Sequence, residues 1–152
     1  MSGSFLDTSA LAKHYHVEIG SADVDRQWAD SGRELYVSRI GVVEAISVFA
    51  GKVRTGDLSA PAFTVVRKRF LNDVGSGRPK LVRLLVAHFK EADRLIAQHG
   101  LTRRIRTLDA LQLAVALELQ HRGLIDQLVS SDKHLLSVAT AEGIPVFDPA
   151  NP

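Results

Sequence analysis

Ser4-Phe5-Leu6-Asp7-Thr8-Ser9-Ala10-Leu11 carries a short apolar run that ends on an acid and passes straight into helix-forming sequence. Far down the chain, Leu128-Val129-Ser130-Ser131-Asp132 does the same: apolar run, hydroxyls, acid, then another helical stretch. A strand closed by a carboxylate and followed at once by a helix is the unit of an α/β fold. In open parallel sheets, ligands bind beyond the carboxyl ends of the strands. Asp7 and Asp132 are both expected at that edge.

Outward from these two segments, strands and helices alternate. Residues 4–6 read as a strand, and 9–18 as a helix entered through Thr8 or Ser9 as N-cap. A helix over 22–30 and a strand over 34–38 follow. Residues 40–53 have helical periodicity, with Ile40, Val43, Ile46 or Ser47, and Phe49 or Ala50 recurring on one side. After the break Gly56-Asp57-Leu58-Ser59 comes a helix over 60–72, then the loop Gly75-Ser76-Gly77-Arg78-Pro79. Residues 80–85 can be a strand leading into a helix that ends near Gly100. A helix over 107–122, a strand over 126–131, a helix over 133–142 and a last strand over 144–147 complete the chain. The expected fold class is an α/β three-layer sandwich with a mostly parallel central sheet flanked by helices, as one domain over residues 1–152.

Composition narrows the function. The 152 residues are 45% hydrophobic and 24% charged, enough for a folded core. There is no cysteine, which excludes disulfides, zinc–thiolate sites and thiol nucleophiles. No apolar run approaches the roughly 20 residues that span a bilayer, and Asp7 interrupts the N-terminus before a signal sequence could form. The expected compartment is the cytoplasm. The net charge of +2 is too small to argue for nucleic acid by itself. Two local basic clusters say more: Arg67-Lys68-Arg69, and Arg103-Arg104-Ile105-Arg106 just upstream of Asp109. Both can be solvated helix faces, but cations bordering an acidic site also suit a phosphate-bearing substrate.

Asp109 lies in Leu108-Asp109-Ala110-Leu111-Gln112-Leu113-Ala114, with Leu113 and Ala116 on its helical face. Glu44 lies in Ile40-Gly41-Val42-Val43-Glu44-Ala45-Ile46-Ser47-Val48, with no basic residue three or four positions away. A charge facing a core is costly unless it is paired or bound to a metal. Each acid has a plainer explanation: Asp7 and Asp132 as helix caps, Asp109 as a first-turn acid, Glu44 in a distant salt bridge to Arg39 or another arginine. Together, Asp7, Glu44, Asp109 and Asp132 cannot all stay ionised side by side without a cation. The neighbouring hydroxyls of Thr8, Ser9, Ser130 and Ser131 can support a carboxylate or a water, or simply cap helices. The six histidines show no ligand spacing, and no phosphate-binding glycine loop is present. An all-carboxylate set suits a hard cation, Mg²⁺ or Mn²⁺, and metal-assisted phosphodiester hydrolysis.

Phe5-Leu6-Asp7-Thr8-Ser9-Ala10-Leu11, Val43-Glu44-Ala45, Leu108-Asp109-Ala110-Leu111-Gln112-Leu113-Ala114 and Val129-Ser130-Ser131-Asp132-Lys133-His134-Leu135-Leu136 resemble the motifs of the PIN-domain family. Within it the likeness is to VapC-type toxins of bacterial toxin–antitoxin pairs. The resemblance implies a PIN fold and a Mg²⁺- or Mn²⁺-dependent ribonuclease acting on RNA. Asp7, Glu44, Asp109 and Asp132 would be its acidic quartet, with Thr8 and Ser130 in support. It also implies a small cognate antitoxin protein as partner, and members often pair as homodimers. Arg103, Arg104 and Arg106 are candidates for the RNA backbone, and Asp148 for an accessory acid or a turn residue. Two rival readings stay open: a PIN fold that binds RNA or protein without cutting, and an aspartyl-phosphate phosphatase using Asp7 as nucleophile. The second normally wants an acid two residues on, where Ser9 stands.

Overall fold

The computed structural model describes residues 2–152. Its strands are β1 (Ser2–Leu6), β2 (Arg33–Ser38), β3 (Lys80–Val82), β4 (Gln127–Val129) and β5 (Val146–Phe147). The helices are α1 (Thr8–Tyr15), α2 (Ser21–Ala29), α3 (Arg39–Arg54), α4 (Ala60–Gly75), α5 (Val86–His99), α6 (Thr107–His121) and α7 (Lys133–Ala141). The strands form one sheet in the order β3-β2-β1-β4-β5, and every pairing is parallel. The expected mostly parallel sheet is therefore wholly parallel.

Strand alternation sorts the core into two layers. Phe5, Tyr36 and Leu128 face one side and pack with Leu95 of α5, Leu113 of α6, and Leu135 and Val138 of α7. Leu6, Leu35, Val37 and Val129 face the other, against Leu11 and Tyr15 of α1, Phe49 of α3 and Phe70 of α4. This is the three-layer sandwich that the alternation of elements predicts. Tyr15, Phe49 and Phe70 meet edge to face at 5.2–6.0 Å between centroids. Such aromatic pairs add to plain burial.

Three expectations need correction. The first helix stops at Tyr15 rather than residue 18, because His16 turns to extended backbone (φ −139°, ψ 121°). Glu18 then lies outside the helix, where it pairs with Lys13 and Lys52. The strand expected over 80–85 pairs only through Val82, since the Leu85 N–H turns to His88 Nδ1 (2.9 Å) at the start of α5. The inward face of α3 is Gly41, Val42, Ala45 and Phe49, while Val43 is 65% exposed. The periodicity of residues 40–53 was ambiguous by one position, and packing against α1 and β2 decides it.

Candidate active site

The carboxyl ends of β1, β2 and β4 meet where the chain order of the sheet reverses, the crevice in which open α/β sheets bind ligands. Asp7 follows β1 directly and is 6% exposed. It stands at the N-cap position of α1, yet its side chain makes no capping bond. Instead Oδ2 accepts the hydroxyls of Ser9 and Ser130, each at 2.9 Å. The capping explanation fails for Asp7. Burial pushes its carboxyl above the usual range, against the opposing hydrogen bonds from the Ser130 and Ser9 hydroxyls.

Asp132 does cap its helix: Oδ1 accepts the N–H groups of His134 (2.9 Å) and Leu135 (3.3 Å). Its own N–H donates to Ser130 Oγ at 3.0 Å, so one serine ties both strand-end acids together. Asp109 lies in the first turn of α6, and Oδ2 accepts the Arg106 N–H at 3.3 Å. Burial, then the charge of Asp132, raises its carboxyl, while the Arg106 N–H opposes and the Asp7 charge adds. Glu44 is half-buried on α3 and accepts Gln112 Nε2 at 3.2 Å. Burial and the charges of Asp7 and Asp109 push its carboxyl up, with Gln112 opposing.

These effects bring the four acids of the sequence reading into one electrostatic neighbourhood. Asp7 and Asp109 act on Glu44, and Asp132 and Asp7 act on Asp109. Among the described residues, none of the four makes an ion pair, so the salt bridge considered for Glu44 is absent. By contrast, the hollow of about 880 Å³ between α5 and α6 is lined by acids already satisfied: Glu118 by His88 and Arg122, and Glu142 by His99 and Arg94. Among the described residues, the four carboxyls near the strand ends have no such ion-pair partners.

No three His, Asp or Glu side chains form a ready metal cage among the described residues. Magnesium, however, usually takes one or two carboxylates and keeps several waters. An all-oxygen set of unpaired, mutually repelling carboxyls fits a hard divalent cation on those terms.

Other expected residues fall variously. Ser130 is fully buried and donates its hydroxyl to Asp7 Oδ2. The Thr8 hydroxyl does not reach Asp7 but accepts Gln112 Nε2 at 3.4 Å; Ser9 takes the role instead. Arg103, Arg104 and Arg106 are exposed around the turn into α6, with Arg103 Nη1 3.1 Å from His99 Nδ1. Asp148 belongs to the C-terminal turn, accepting Ser131 Oγ (2.8 Å), Ala150 N (2.9 Å) and Asn151 Nδ2 (3.1 Å). Burial pushes it up, but those bonds and the charge of Lys13 hold it below the usual range. The sequence reading missed Gln112 and Ser38. The signal for Gln112 was a polar residue between Leu111 and Leu113, on the same helical face as Asp109 three positions earlier.

No curated protein sequence matches the chain significantly. Among solved structures it resembles VapC20 of Mycobacterium tuberculosis, described as a sarcin-ricin loop cleaving toxin, at 17% identity and a TM-score of 0.65, over 93% of this chain and 95% of that one. FitAcB from Neisseria gonorrhoeae matches at 17% identity and TM-score 0.66, over 96% and 97% of the two chains. VapBC-5 from Mycobacterium tuberculosis, a member of the VapBC family of toxin-antitoxin systems, matches at 18% identity and TM-score 0.54, over 97% and 98%. At these identities the likeness is one of fold. The family itself rests on a sequence model, the PIN domain, which matches residues 4–141. The chain belongs to the PIN domain family.

Proposed function

We propose that the chain is a Mg²⁺- or Mn²⁺-dependent endoribonuclease acting as the toxin of a toxin–antitoxin pair. One observation carries this: four carboxyls without ion pairs, Asp7 raised by burial and Glu44 and Asp109 by burial and neighbouring acid charge, gathered at the strand ends of a PIN-family chain. Asp7 and Asp109 are the principal ligands in this reading, with Glu44 and Asp132 completing the shell through waters or a second ion. When bound, the cation neutralises phosphodiester charge and makes the attacking water more acidic.

The chain's own residues hold that site in shape. Ser9 and Ser130 fix one oxygen of Asp7, leaving the other free to ligate. Asp132 is anchored through the start of α7, and Asp109 through the turn at Arg106. Arg103, Arg104 and Arg106 suit the RNA backbone, which they would grip without reading sequence. A buried Asp7 with one oxygen held by two hydroxyls suits a ligand better than a nucleophile, so we set the aspartyl-phosphate reading aside. The structurally similar VapBC-5 is a member of a family of toxin-antitoxin systems, which supports a small antitoxin as partner here. A homodimer is a further expectation of the same reading.

Purified chain, freed of any partner, should cleave structured RNA with Mn²⁺ or Mg²⁺ and stop in EDTA. Asp7→Asn and Asp109→Asn should each lose at least ~100-fold, since even outer-shell changes cost 10–100-fold at metal sites. Full cleavage by both variants would contradict the assignment.

A further inference from the structure

Gln112 reaches the acids from inside the core, at 1% exposure, in a helix otherwise apolar at its neighbouring positions. A buried primary amide has two N–H donors and one oxygen to satisfy, and an error in its orientation reverses them all. Here the orientation is set. The Gly41 N–H donates to Ser38 Oγ at 2.9 Å, and that hydroxyl gives its single proton to Gln112 Oε1 at 2.6 Å. Nε2 faces the site, where it donates to Glu44 Oε1 (3.2 Å), a carboxylate oxygen that only accepts, and to Thr8 Oγ1 (3.4 Å). Gly41 makes the approach possible: a Cβ there would lie 2.9 Å from Val37 Cγ2 and 3.2 Å from Gln112 Nε2.

We propose that Gln112 is a positioning residue for the metal site, holding one oxygen of Glu44 so that the other is presented to the cation. This rests on the metal-dependent reading above. Glu44 hangs from α3 on a flexible side chain, has no ion-pair partner, and is repelled by Asp7 and Asp109. Without a donor beneath it, the carboxylate gains by turning away from those charges. The donor must also be neutral. A lysine or arginine in its place would neutralise Glu44 and compete with the cation, whereas an amide orients the carboxylate and leaves its charge for the metal. Ser38 acts one step further back, by orienting the amide.

The test is calorimetric Mn²⁺ binding to wild type, Gln112→Met, Glu44→Gln and the double variant. Methionine keeps the unbranched length and removes every hydrogen bond. Gln112→Met should weaken Mn²⁺ binding about 10–100-fold, the usual effect of losing an outer-shell partner. Added to Glu44→Gln it should cost nothing further, because the amide acts through Glu44. Wild-type affinity in Gln112→Met, or the same loss in both backgrounds, would overturn the proposal and leave a packing role. Should Gln112→Met fail to fold, the Gln112 side-chain amide resonances of the intact ¹⁵N-labelled chain decide. They should shift with added Mg²⁺ along its binding curve, and resonances unmoved at saturation would overturn the proposal. A wild-type chain with no Mn²⁺ affinity would instead end the metal reading, and this inference with it.

Discussion

At the scale of single residues, the site is a store of unfavourable charge. The carboxyls of Asp7, Glu44 and Asp109 all stand above their ordinary values, so their ionised forms cost folding free energy. For an acid raised in the folded state, that cost is absent below the unfolded value and grows as pH rises through the gap to the folded one. Metal-free protein should therefore lose stability from these groups as pH climbs from about 4, their ordinary range, towards neutral. Asp7→Asn should raise the melting temperature of metal-free protein at pH 7, each ~1 kcal/mol gained giving about 2–4 °C in a chain this size. At pH 3 the gain should vanish. A variant less stable than wild type at pH 7 would show that Asp7 serves the fold rather than a cation.

At the scale of elements, two acids that look alike in sequence divide. Asp7 and Asp132 each stand at the N-cap of a helix that follows a strand, but Asp132 alone caps with its side chain. Asp132→Ala should cost about 1 kcal/mol of stability as a lost N-cap. Asp132→Asn should keep that stability, because asparagine caps as well, while still weakening RNA cleavage. Thermal melts beside cleavage assays separate the two effects, and an asparagine variant with full activity would leave only the cap. The sheet was readable at this scale because β1 and β4 end on the apolar pairs Phe5-Leu6 and Leu128-Val129, with an acid one and three residues further on. The face of α3 was not, since Val42 and Val43 are equally apolar and tertiary packing alone buries the first. The end of α1 was hidden too: Val17 and Ile19 look like core residues but are 89% and 77% exposed. Thr8 and Ser9 stood side by side as candidate supports for Asp7. Which one points at its carboxyl depends on the angle at which α1 leaves β1.

At the scale of the whole molecule, the acids come from positions 7, 44, 109 and 132, brought together by a parallel sheet whose neighbours are distant in sequence. Ser38, Gln112 and Ser130 then join β2, α6 and β4 to the same crevice through hydrogen bonds that no spacing rule foretells. Buried Ser38, Gln112 and Ser130 thus hold carboxyls that have no ion-pair partner of their own among the described residues. The most direct test is calorimetric titration of Mn²⁺ into metal-free protein at pH 7 and again near pH 5, beside Asp109→Asn. The account predicts binding at pH 7 that weakens at pH 5, as protons compete for the raised carboxyls, and that is lost or greatly weakened in the variant. Folded protein that takes up no Mn²⁺ at pH 7, or an Asp109→Asn variant that binds as wild type does, would contradict it.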